Sequence, residues 1–143
     1  MKAQPAEIRE RLERYFKSQR DAAVTSAYLF GSFAEDRAHR ESDVDVGVLL
    51  DWAEHPEPQE RFEQRVRLTS ELMAALGKNE VDVVILNDAP PLLGRKIVGR
   101  GQPVFVADVR ADRRFVCDVQ LRAADLEPWL RRMARKKLEA LSR

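Results

Sequence analysis

Apolar positions recur along this chain with two periods, and the switch from one to the other marks its elements. Pro5 stands at a first helical position, and Ile8, Leu12, Tyr15 and Phe16 follow at helical spacing, so residues 5–20 read as one amphipathic helix. Val24 to Phe30 (VTSAYLF) and Val44 to Leu50 (VDVGVLL) are short, rich in β-branched residues and bounded by turn or charge signals, the pattern of buried strands. After the loop WAEHPEP at 52–58, Phe62, Val66, Thr69, Met73 and Leu76 mark a second helix that Gly77 stops. Val81 to Leu86 (VDVVIL) returns to a strand, and Asn87-Asp88-Ala89-Pro90 reads as the cap of a short helix. That helix buries Leu92, Leu93, Ile97 and Val98 and ends at Gly99 and Gly101. Pro103 to Val106 reads as a last strand, of the edge type that tolerates proline. From Asp112 the pattern is helical, with Phe115, Val119 and Arg122 on one stripe. A break at Glu127-Pro128 opens a final helix bearing Trp129, Leu130, Met133 and Leu141.

This alternation predicts an α/β domain of the α+β type, a mixed sheet packed with helices and followed by C-terminal helices. At 143 residues the chain has room for one such domain with a real core. We divide it into residues 1–106, the sheet-bearing part, and 107–143, a helical extension of the same domain. A composition of 44% hydrophobic and 34% charged residues is that of a soluble protein, and neither a membrane-spanning stretch nor a signal-type apolar region follows Met1-Lys2. Cytoplasmic residence is the expectation. The single cysteine, Cys117, has no internal partner and reads as a small core residue; His39 and His55 form no ligand pattern.

Candidate chemistry gathers between 31 and 45, where Gly31-Ser32 ends one strand and Asp43 and Asp45 open the next. In a strand alternate side chains share a face, so Asp43, Asp45 and Gly47 lie on one side and Val44, Val46, Val48 and Leu50 on the other. Two adjacent carboxylates repel unless a cation holds them, and magnesium, which takes oxygen ligands and phosphates, suits the pair. A glycine turn lets the backbone approach a phosphate, and the Ser32 hydroxyl can donate to it. Asp82 is the one acid in an otherwise apolar strand. If that strand neighbours Val44 to Leu50, three carboxylates converge, enough for two metal ions acting on a phosphoryl transfer.

Gly31-Ser32, ten residues, Asp43-x-Asp45 and then a strand-borne Asp82 resemble the signature of the DNA polymerase beta-type nucleotidyltransferase superfamily. The small size points to its minimal nucleotidyltransferase (MNT) domain proteins. The similarity runs from around Ala27 through VDVVIL to PPLLGRKIVGRGQPVF. Where many relatives carry arginine then glycine after G-S-x-A, this chain has Glu35 and Asp36, with Arg37 or Arg40 as the candidate cation for the triphosphate. The resemblance implies that Asp43 and Asp45 bridge two Mg²⁺ ions, that Asp82 holds the ion serving the acceptor, and that Gly31, Ser32 and Arg37 bind the nucleotide. It implies transfer of AMP from ATP to a hydroxyl. MNT proteins are commonly antitoxins that adenylylate a tyrosine of a HEPN ribonuclease toxin, so a HEPN-type toxin is the expected partner. Two alternatives stay open: an antitoxin that neutralises by contact alone, and a small-molecule nucleotidyltransferase.

Net charge is only +1, yet Arg131, Arg132, Arg135, Lys136 and Lys137 crowd the last helix. Such a run is either a solvated face or a docking surface. With no nucleic-acid motif present, an acidic protein is the favoured partner over RNA.

Overall fold

The computed structural model describes residues 5–19, 23–34 and 43–142. Four strands form one mixed sheet in the order β3-β2-β1-β4: β1 (Val24–Phe30), β2 (Val44–Leu50), β3 (Val81–Ile85) and β4 (Gln102–Val106). β1 pairs antiparallel with β2 and with β4, whereas β2 and β3 run parallel. A parallel pair needs a crossover, and helix α2 (Pro58–Leu76) supplies it. Helices α1 (Pro5–Ser18), α3 (Pro91–Arg100) and α4 (Val109–Leu141) complete the domain.

Alternation along the strands builds two cores. Val44, Val46, Val48 and Leu50 of β2 and Val81, Val83 and Ile85 of β3 point to α1 and α2, meeting Ile8, Leu12, Phe16, Leu68, Leu72 and Leu76. On the opposite face Tyr28, Leu49 and Leu86 meet Ile97 of α3, with Phe115 of α4 beside them. Each fully buried aliphatic or aromatic side chain contributes about 1.5–3 kcal/mol, so this double-faced sheet is the frame on which the loops at its ends are held. Tyrosine hydroxyls pin the layers: Tyr15 donates to Glu71 at 2.7 Å, tying α1 to α2, and Tyr28 donates to Asp112 at 2.6 Å, tying the sheet to α4.

Four expectations need correction. The buried face of α2 is Arg61, Leu68, Leu72 and Leu76; Phe62 and Val66 are exposed. Arg61 takes a place the apolar pattern gave to Phe62 because its charge is matched. Its guanidinium donates to both Asp88 carboxylate oxygens at 2.9 Å and to the His55 carbonyl at 2.9 Å, and lies 4.9 Å from the Trp52 ring centroid. Asn87 and Asp88 therefore do not cap α3, which starts after Pro90 with no side-chain cap. Asn87 instead brackets Leu50, accepting from its N–H at 2.8 Å and donating to its carbonyl at 2.9 Å. Third, α4 is one helix of 33 residues with Pro128 inside it. Its buried Val119 and Ala123 and the 2.5 Å ion pair between Glu127 and Arg95 hold the helix on α3 up to the proline, and the lost main-chain bond faces solvent. Fourth, Cys117 is exposed, since the α4 stripe that turns inward runs through Phe115, Val119 and Ala123.

Candidate active site

The carboxylates meet at one end of the sheet because of strand register. Asp45 of β2 lies directly beside Asp82 of β3 in the parallel pair, and opposite Phe30 of β1 in the antiparallel one. Neighbouring strands are about 4.8 Å apart, so two like charges share one sheet edge. Asp43 immediately precedes β2. Since Phe30 is the last residue of β1, the next turn, a 3₁₀ turn over Gly31–Phe33 that carries Ser32, closes over the same acids.

Gly31 is fixed at φ +75°, in the left-handed region, and a Cβ placed there would overlap the Asp45 carboxylate. Glycine is thus required twice, for the turn and for the approach. Gly47, two residues beyond Asp45, packs under Ile97 and Leu86, so α3 lies against the same face of β2 as the acid.

Electrostatics mark Asp45 as the strained member. Its burial, then the charges of Asp82 and Asp43, push its carboxyl above the usual range, and the Lys96 ammonium on α3 pulls it partly back. Asp82 is more open, with its side chain 60% exposed, and leans towards Arg65 of α2 at 3.9 Å. Arg65 is held in turn by its Nε, which donates to the Val83 carbonyl at 2.8 Å. Glu80, just before β3, adds an acid: its carboxyl is raised by a hydrogen bond to Asp43 and by the Asp43 charge. The sequence pattern did not single out Glu80, Arg65 or Lys96. Glu80 directly precedes the strand that carries Asp82, and Lys96 directly precedes the buried Ile97. Those offsets were the available signals.

Asp43, Asp45 and Asp82 are thus brought together at one strand end beside Gly31 and Ser32. Arg37, with Glu35, Asp36, His39 and Arg40, lies outside the described residues. Among the described residues, no three acidic, imidazole or thiol side chains already stand at metal-holding distance from one another. The donor chemistry nonetheless fits a hard divalent cation: all the groups are oxygen donors, mutually repelling and gathered at one strand end. Arg131, Arg132, Arg135, Lys136 and Lys137 all lie exposed near the end of α4. No described helix is long and apolar enough to cross a membrane.

Comparison with known proteins assigns the chain to a family. Residues 10–110 match the family described as polymerase beta, nucleotidyltransferase. The chain is 33% identical over 78 residues to the protein adenylyltransferase MntA of Shewanella oneidensis, covering 54% of this chain and 51% of that protein. It therefore spans about half the length of the curated relative it matches. Among solved structures, a chain of the toxin-antitoxin with AMP-PNP superposes with a TM-score of 0.70 at 24% identity, covering 91% of this chain and 98% of that one. A chain of the tri-AMPylated Shewanella oneidensis HEPN toxin in complex with MNT antitoxin gives 0.66 at 22% identity, covering 92% and 98%. At those identities the superpositions speak for the fold. With the family match running across all four strands, from α1 to the start of α4, the chain belongs to the polymerase beta nucleotidyltransferase family.

Proposed function

We propose that this protein transfers AMP from ATP to a tyrosine hydroxyl of a HEPN-type toxin, acting as its antitoxin in the cytoplasm. The observation that carries the reading is the juxtaposition of Asp45 and Asp82 in register, with Gly31 closed over the Asp45 carboxylate. The relative named protein adenylyltransferase MntA and the neighbouring structures with AMP-PNP and an AMPylated HEPN toxin support the choice of nucleotide and acceptor.

Asp43 and Asp45 would hold the cation that binds the triphosphate, and Asp82 would share the cation that faces the acceptor. Two Mg²⁺ ions held there would supply charge neutralisation at the leaving pyrophosphate and a lowered pKa for the attacking hydroxyl. The Gly31 turn brings Ser32 to the Asp45 carboxylate, where its hydroxyl would donate to the phosphate oxygens. Arg37 is the candidate for a further phosphate contact. Arg65 lies 3.9 Å from Asp82, and the Lys96 ammonium offsets part of the repulsion at Asp45. The α-phosphorus gains a bond to the tyrosine oxygen as its bond to pyrophosphate breaks, and the phenolic proton leaves to solvent.

Incubation with a HEPN-type protein encoded beside this one, ATP and Mg²⁺ should add an AMP mass increment to a tyrosine of that protein. Inhibition should then persist after this chain is removed. Unmodified toxin under conditions where growth is rescued, with rescue surviving Asp43→Asn, would replace catalysis with inhibition by contact.

A further inference from the structure

Among the described residues, the ion pair of Glu127 with Arg95 is the last side-chain tie from α4 to another element, and from Arg131 to Ser142 every residue is exposed. At 1.5 Å per residue, the helix from Pro128 to Leu141 extends about 20 Å beyond that tie. Fully exposed helices are ordinarily polar all round, and this one is not. Trp129 is 50% exposed, Met133 46% and Leu141 74%, and together with half-buried Leu130 they fall on one stripe. Leu126, Leu130, Met133, Lys137 and Leu141 recur at steps of four, three, four and four, the spacing of a helix face that meets another helix or a groove.

The charges around this stripe decide what can cover it. Arg132 and Arg135 lie towards the far side of the helix, while Lys136 and Arg131 border the stripe and Lys137 falls within it. A second copy of this chain, packed parallel or antiparallel along the stripe, would set these cations against each other, and like charges placed opposite are unfavourable. A lipid surface is poorly matched by an apolar face with an ammonium in its middle, and RNA has no use for Met133 or Leu141. A protein surface with apolar side chains at its centre and carboxylates at its rim, including one opposite Lys137, satisfies both features at once. We infer that the projecting end of α4 is a docking arm for an acidic-rimmed apolar groove on the protein that accepts AMP, so that binding and chemistry are carried by different parts of the chain. This inference takes its partner from the proposed function, while its test reads association separately from transfer.

The probe is the HEPN-type protein encoded beside this chain, and its affinity is measured by calorimetry with the full-length protein. Met133→Glu, and separately Leu141→Glu, should weaken association at least tenfold while Mg·ATP binding stays as in the wild type. Both positions are exposed, so circular dichroism should show an unchanged helix content. Reversal of Arg131, Lys136 and Lys137 to Glu should lower the on-rate and flatten its salt dependence. Asp45→Asn should leave association intact. If wild type transfers AMP and Met133→Glu binds as tightly as wild type, the docking arm is wrong and the catalytic reading stands. If Met133→Glu fails to bind but no AMP is ever transferred, the arm stands and catalysis falls. Conversion of a dimer of this chain to a monomer by Met133→Glu would assign the stripe to self-association. Tight binding of a 20-nucleotide RNA or of anionic vesicles that Met133→Glu abolishes would also overturn the inference.

Discussion

Replacing Asp45 by asparagine should make the metal-free protein more stable while abolishing its binding of Mg·ATP. The change keeps the shape that fits under Gly31 and removes one of the charges crowded at the strand end. Two unit charges on adjacent strands, about 4.8 Å apart, repel by roughly 3.5 kcal/mol at an effective dielectric of 20. Asp82 is 60% exposed and Arg65 approaches it to 3.9 Å, so solvent and that cation screen most of this. About 1 kcal/mol should remain, or roughly 3 °C in melting temperature for a chain of this size. The assay is a thermal melt of both proteins in EDTA and again with saturating Mg·ATP. In EDTA the asparagine variant should melt higher. With ligand at 100 times its Kd the wild type gains about 2.7 kcal/mol, and the order should reverse. A variant that melts at or below wild type in EDTA would show that the acids do not burden the fold. An equal gain from Mg·ATP in both proteins would show that Asp45 does not hold the cation.

Other expectations test the surrounding parts. Gly31→Ala should cost about 1–2 kcal/mol in urea denaturation, from the left-handed backbone alone, and should displace the Asp45 carboxylate so that calorimetry detects no Mg·ATP binding. Asp82→Asn should leave ATP affinity within a few fold while transfer of labelled AMP collapses; equal losses in both would remove its assignment to the acceptor's cation. Arg61→Ala should destabilise by about 2–3 kcal/mol in the same denaturation assay, because it strips charged hydrogen bonds from Asp88 and the His55 carbonyl and opens the space beside Trp52. Arg61→Ala within 0.5 kcal/mol of wild type would mean that this buried guanidinium does no more than fill volume.

The strands, their alternation and the gathering of Asp43, Asp45 and Asp82 were legible because period-two burial is a local signal and register follows from it. The turn at Gly31 was legible too, but its close approach to Asp45 was not, because that neighbour lies on the next strand. What escaped depended on partners far away in the chain. Arg61 could enter the core only because Asp88 waits for it 27 residues later, and no window over α2 contains that acid. Pro128 read as a helix break by its local preference, but Ala123 and Glu127, anchored on α3, hold the turns before it and the helix runs on. Lys96 and Glu80 take their meaning from charges on another strand. The division at residue 107 and the role of Arg37 rest on the sequence.

Arg65 has a second consequence, apart from the acids. A four-stranded sheet leaves two open margins, and unpaired main-chain groups at such margins recruit strands from other molecules. On β4 one position is Pro103, which has no N–H to offer. On β3 the Arg65 guanidinium occupies the Val83 carbonyl, and its charge sits where an incoming strand would need to lie. Each margin thus carries one feature that disfavours cross-molecule β pairing at its position. Of the large apolar side chains left exposed, most sit on α2 and α4, where a contact does not extend a sheet, and Trp52 and Val106 lie outside the helices.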